Sequence, residues 1–235
     1  SCRRILDDLG AAERAASGEY EAPKGELTLT APIVFGRLHV VPIVAEFLRA
    51  FADIDVRLLL ADRVVNLLEE HVDLAVRVGE LPDSSMVGTR VGTIRRVVCA
   101  SPAYLAARGR PRHPRDMAKH DAITFQDLDR PAEWPFKVAR AMRAFPVRAR
   151  LVVTTAEAAL DAAVAGAGVT RLLGYQVAAA VSEGKLIVLL RDYEPEAAPL
   201  SLVYPSGRLV PLKLRAFLDF AVPRLKSRLQ PVRRR

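Results

Sequence analysis

The chain is poor in cysteine. Cys2 and Cys99 are its only two, and they stand far apart along the 235 residues. The four histidines, His39, His71, His113 and His120, are scattered, and no Cys or His has a partner at metal-ligand spacing. Both a disulfide framework and a zinc module are therefore disfavoured. Lysine is also scarce, at six of 35 basic residues. That bias toward Arg is compatible with codon composition, so the net charge of +8 is only a weak pointer to nucleic acid. No apolar run approaches the roughly 18 residues of a membrane span, and the start, Ser-Cys-Arg-Arg-Ile-Leu, has no secretory apolar region. The expected location is the cytoplasm, with no membrane partner. Catalytic signatures are missing too: there is no Gly-x-Ser-x-Gly elbow, Walker A loop or His-Glu-x-x-His. Gly166-Ala-Gly168 lacks the third glycine of a dinucleotide fingerprint, because Arg171 stands in its place. Among 27 acidic residues no spacing singles out a general acid/base pair. The expectation is a protein that is not an enzyme and has neither cofactor nor metal.

What is present is apolar and patterned. At 51% hydrophobic the chain can bury one large core or two modest ones. Its organising stretch is Gly25-Glu-Leu-Thr-Leu-Thr-Ala-Pro-Ile-Val-Phe-Gly-Arg37. Leu27 to Thr30 alternates as a half-buried strand does. The helix expected from Phe35 to Ala52 carries Leu38, Val41, Val44, Ala45, Leu48 and Phe51 at helical spacing. A strand feeding a helix through a tight turn aims N–H groups and the positive end of the helix dipole at whatever lies above it, which favours a small anion.

In chain order, residues 2–17 place Cys2, Ile5, Leu9, Ala12 and Ala16 on a seam. It is either an ordinary surface helix or the tail of a longer dimerising one, followed by a linker from Ser17 to Gly25. Strands at Val56–Leu60 and Leu74–Val78 flank an expected helix at Arg63–Glu70, a βαβ pattern that predicts a parallel sheet. Residues 87–100 read as extended, and Ser101-Pro opens a short capped helix. Ala122–Phe125 is a strand, and Glu133–Phe136 is expected to pair with Val147–Val153. Thr154-Thr-Ala-Glu157 reads as a capping box with Thr154 as the cap of a helix over residues 156–165. Strands at 169–173, 186–190 and 200–204, and helices at 176–182 and 211–228, complete the reading, with a solvated basic tail at Arg233-Arg-Arg235.

Two α/β units thus offer strand ends and helix starts to a ligand. The first supplies Thr30, Ala31, Pro32, Ile33 and Val34 with Asp62 and Arg77; the second supplies Thr154 and Thr155. Pro32 has no N–H, so an anion cradle rests on Ile33, Val34 and the Thr30 hydroxyl. Arg77 serves equally well as a ligand contact or as an ion pair with Asp62, Glu80 or another rim acid. Thr154 and Thr155 serve equally well as ligand donors or as plain helix caps.

The organising stretch, the run Ala61-Asp-Arg-Val-Val-Asn-Leu-Leu-Glu-Glu-His-Val-Asp-Leu-Ala-Val-Arg77, Ala100-Ser-Pro-Ala-Tyr-Leu105, Thr154 to Gly168 and Phe217-Leu-Asp-Phe220 occur in order. Together they resemble the effector-binding domain of LysR-type transcriptional regulators over nearly all of residues 1–230. The resemblance implies an α/β fold like type 2 periplasmic binding proteins, with two Rossmann-like subdomains and an inducer cleft between them. The division it suggests is a linker-helix end and linker at 1–24, subdomain I at 25–96 plus 203–230, and subdomain II at 97–202. It implies a small, acidic effector in the cleft, Phe125 and Tyr204 as apolar wall, and a homodimer or homotetramer. DNA would be held through a winged helix-turn-helix that is missing from these residues. Ala61 and His71 depart from the Ser and Gly that relatives often carry, which puts a polar contact at 61 in doubt. A stand-alone solute-binding protein of a transport system is the rival reading, and an enzyme on the same fold is a third.

Overall fold

A computed structural model of the chain describes residues 22–80, 86–125, 133–206 and 210–229. The seam at 2–17, Cys2, most of the linker and the basic tail lie outside them. The first elements are β1 (Gly25–Ala31), a continuous helix α1 over residues 33–50, β2 (Ile54–Leu60), β3 (Leu74–Val78), β4 (Met86–Ile94), β5 (Arg96–Ala100) and α2 (Pro102–Arg108). After a 3-10 turn at Pro114–Lys119 come β6 (Asp121–Phe125), β7 (Glu133–Val138), β8 (Ala141–Pro146), β9 (Arg148–Val153), α3 (Ala156–Val164) and β10 (Val169–Leu173). The chain continues through α4 (Gly174–Ser182), β11 (Ile187–Leu189), β12 (Ala198–Pro205) and α5 (Leu212–Leu229). The described residues up to Gly92, with those from Pro199 onward, form one compact unit, and Thr93–Ala198 forms a second.

The first unit is built on a sheet of order β2-β1-β3-β12-β4, in which β1 runs parallel to β2 and β3 while β12 is antiparallel to β3. The alternation of β1 predicted a half-buried strand, but Thr28 and Thr30 are buried along with Leu27 and Leu29. A threonine can face a core where its hydroxyl is bonded, and Thr30 donates to Leu59 O at 3.0 Å.

Helix α1 starts two residues earlier than expected and contains a π turn at Gly36–Val40. It has two apolar stripes. Val40, Ile43, Val44 and Phe47 are buried, whereas Leu38, Val41 and Leu48, from the stripe expected to face inward, are about 40% exposed. Phe47 packs edge-on to Phe217 and Phe220 of α5, with centroids at 5.1 and 5.5 Å.

The helix expected at 63–70 does not form. Asn66 Oδ1 accepts from the N–H of Leu68 at 3.2 Å and reaches that of Glu69 at 3.5 Å, a side-chain alternative to the helical ladder. Val65, Leu67, Val72 and Ala75 bury a small satellite core beneath this loop.

The second unit has a sheet of order β11-β5-β10-β6-β9, with β10, β6 and β9 parallel and β5 antiparallel to β10. The expected pairing of 133–136 with 147–153 is corrected: β7 pairs with β8 as a hairpin, and β9 pairs with β6. The signal was hidden because β8 is mostly exposed. Its turn also uses Ala139 and Arg140 at positive φ, where Asn or Gly is the usual marker. The hairpin lays Trp134 and Phe136 against Val98, Tyr104, Met117 and Val169. Gly168 permits a close approach beside β10, since a β-carbon there would collide with the Asp121 carbonyl. Among the described residues no helix is long and apolar enough to cross a membrane, and no cluster of His, Cys, Asp or Glu is arranged to hold a metal ion.

Candidate functional site

In the first unit, Thr30, Ala31, Pro32, Ile33 and Val34 make the junction of β1 and α1, with Pro32 as the single turning residue. The first N–H groups of a helix find no carbonyl within it. Ile33 N–H donates to Asp62 Oδ1 at 3.1 Å, and Ala61 N–H ties the same loop to Ala31 O at 3.0 Å. Asp62 is therefore brought to the turn, where its carboxylate is the anion that this helix start holds. The Thr30 hydroxyl is engaged with Leu59 O. Of the three donors expected to cradle a ligand, Ile33 N–H and Thr30 already have protein partners. Val34 N–H remains, on a residue whose side chain is buried.

Arg77 is half-buried at the end of β3 and donates from Nη2 to Val65 O at 2.6 Å. It anchors the loop that Asn66 keeps from becoming a helix. Exposed Arg63 makes a two-pronged pair with Glu70, both contacts at 2.6 Å, which closes the same loop. Tyr204 is half-buried on β12.

In the second unit, Thr155 is the cap of α3 and its hydroxyl oxygen accepts from Ala158 N–H at 3.2 Å. Thr154 is exposed and stands one residue outside, so the capping box expected on Thr154 and Glu157 does not form. Starting the helix at Ala156 turns Ala156, Ala159 and Ala163 to the core, and that packing sets the phase. Phe125 is the half-buried last residue of β6.

Two charge clusters in this unit escaped the sequence reading. Asp121, with a side chain only 5% exposed, gathers Arg150 at 2.9 Å, Arg108 at 3.3 Å and Arg148 at 3.4 Å. Asp121, Arg108 and Arg150 border a concavity of about 530 Å³ lined also by Tyr104, Leu151 and Gly166. Burial pushes the Asp121 carboxyl upward. The Arg150 hydrogen bond and the charges of Arg150, Arg108 and Arg148 outweigh it and hold the group below the usual carboxylate range. The second cluster is Arg96 with Arg171, on β5 and β10. The available signal was arginine within largely apolar strands, at alternate positions in Arg148-Ala-Arg150 and singly in β5 and β10.

The LysR substrate binding domain family model matches residues 21–226. The chain is similar to the HTH-type transcriptional regulator PtxR of Pseudomonas aeruginosa, with 30% identity over 92% of this chain and 70% of that protein. It is equally similar to the regulator CrgA of Neisseria meningitidis, with 30% identity over 97% and 76% of the two chains. The solved structure of CrgA, a LysR-type transcriptional regulator, superposes with a TM-score of 0.77 over 95% of this chain and 76% of that one. Full-length AphB of Vibrio cholerae shares the fold, with a TM-score of 0.76 over 95% and 76% of the chains at 21% identity.

Proposed function

We infer that this chain, which belongs to the LysR substrate binding domain family, senses a small acidic metabolite through strand-end groups of its two units and passes the result to an oligomer that holds DNA in the cytoplasm. The observation that carries this reading is the family match over residues 21–226. DNA is contacted by a winged helix-turn-helix of the kind the family carries ahead of this domain. The first unit contributes the turn Thr30, Ala31, Pro32, Ile33 and Val34, with Val34 N–H as the donor, Asp62 as the group that caps it and Arg77 as the group that orders the rim through Val65 O. The second contributes the exposed Thr154 hydroxyl beside the capping Thr155. Phe125 and Tyr204 supply apolar wall. An effector shifts such a regulator only by its unequal affinity for two arrangements, a coupling of about 1 to 3 kcal/mol.

The test is calorimetry and thermal shift across a broad panel of metabolite acids, repeated on Thr30→Val, Arg77→Ala and Thr154→Val. Binding is expected in the parent and weakened in at least one variant of each unit. Affinities unchanged in all three would overturn these residues as the site, and a panel with no ligand would count against the acidic effector.

A further inference from the structure

In β5 and β10 the antiparallel register sets Leu173 opposite Arg96 and Arg171 opposite Val98. Residues opposite each other share a face, so Arg96 and Arg171 are diagonal neighbours on one face of the sheet. That separation, roughly 7 to 8 Å, is spanned easily by two arginine side chains. Arg171 is half-buried and fixed: Nη1 donates to Pro135 O at 3.1 Å, and its guanidinium carbon lies 6.0 Å from the Trp134 ring centre. Arg96 is solvent-exposed.

Neither arginine forms an ion pair with a carboxylate among the described residues. Arg95, one position earlier, has Glu194 at 3.0 Å, and Arg108, Arg148 and Arg150 share Asp121. Burial, and after it the neighbouring Arg96, pulls the Arg171 guanidinium down to about 9. A half-buried guanidinium beside a second positive charge, without a carboxylate counter-ion, is unfavourable. Each still carries unengaged N–H groups in a planar fork that fits an oxyanion.

We propose that Arg96 and Arg171 form an oxyanion receptor in the second unit, which takes the carboxylate or phosphate head of a small ligand. This deepens the effector reading, and rests on it only for the molecule to which the head group belongs.

Thermal-shift and calorimetric titrations at constant ionic strength, with inorganic phosphate in one arm and acetate in the other, test the pair against chloride. Saturable stabilisation is expected in the parent with at least one of the two, and the stronger arm identifies the head group. Half-saturation should weaken about tenfold or more in Arg96→Gln and in Arg171→Gln. Arg96→Gln removes like-charge repulsion and should be no less stable than the parent in anion-free buffer, so it keeps the test decisive if Arg171→Gln fails to fold. An unaltered response in a folded variant, or no saturable response in the parent, would overturn the receptor. Phosphate or acetate binding that depends on the arginines, alongside a metabolite panel without ligands, would uphold the receptor and reject the effector reading. A metabolite that binds with equal affinity to parent and Arg96→Gln would do the reverse.

Discussion

At Asp121 a single carboxylate neutralises part of three arginines from two segments, Arg108 at the end of α2 and Arg148 and Arg150 on β9. Its N–H donates to Tyr104 Oη at 2.9 Å, and that hydroxyl also meets His120 Nδ1 at 3.3 Å. The pH consequence follows from the sign of each shift. Asp121 has a folded pKa below its unfolded one, so its contribution is complete above the ordinary carboxylate range and is lost as pH falls below it. His120 is lowered, first by burial, so the unfolded chain takes up a proton earlier and stability declines as pH drops below the ordinary histidine value. Melting temperatures followed from neutral to acidic pH should therefore fall in two stages. Asp121→Asn should melt lower than the parent at neutral pH, with the gap closing in the acidic stage only. A gap independent of pH would show that the arginines do not act on this carboxylate.

Helix α1 shows how an element depends on a residue remote in sequence. Its first turn is held by Asp62, 29 positions away from Ile33, acting as a side-chain cap on a helix whose own preceding residue is a proline. Removing that acceptor in Asp62→Ala should cost about 1 kcal/mol in urea unfolding, while Asp62→Asn, which still accepts, should recover much of it. Equal losses in both variants would place the effect in charge rather than in the hydrogen bond. This remote dependence also marks what could be read in advance. β3 and β10 have the bounds expected from their apolar runs, and Ser101 caps α2 by accepting from Tyr104 N–H at 3.3 Å, because those signals are local. The helix at 63–70 failed because Asn66 offered the backbone a competing partner, and the hairpin failed because Ala139-Arg140 does not look like a turn. Candidate site residues were recognisable by type. That Ile33 N–H and Thr30 were already engaged was not, since their partners come from neighbouring loops and strands.

For the molecule as a whole, the second apolar stripe of α1 has no role in its own core. Leu38, Val41 and Leu48 are 41%, 43% and 39% exposed, and Ala45 between them is exposed as well, so one helical face presents a continuous apolar strip. A strip at spacings of three and four is self-complementary in shape, which suits an isologous contact between two copies, where each buries the same patch of the other. Exposed Arg37 and Arg49 beside it form a charged rim. If this face carries self-association, sedimentation of the parent should show dimer at micromolar concentration. Val41→Glu with Leu48→Glu should then yield monomer with an unchanged circular dichroism spectrum, because neither side chain is buried in the core. Dimer persisting in that double variant would move the interface elsewhere and leave the strip without a partner.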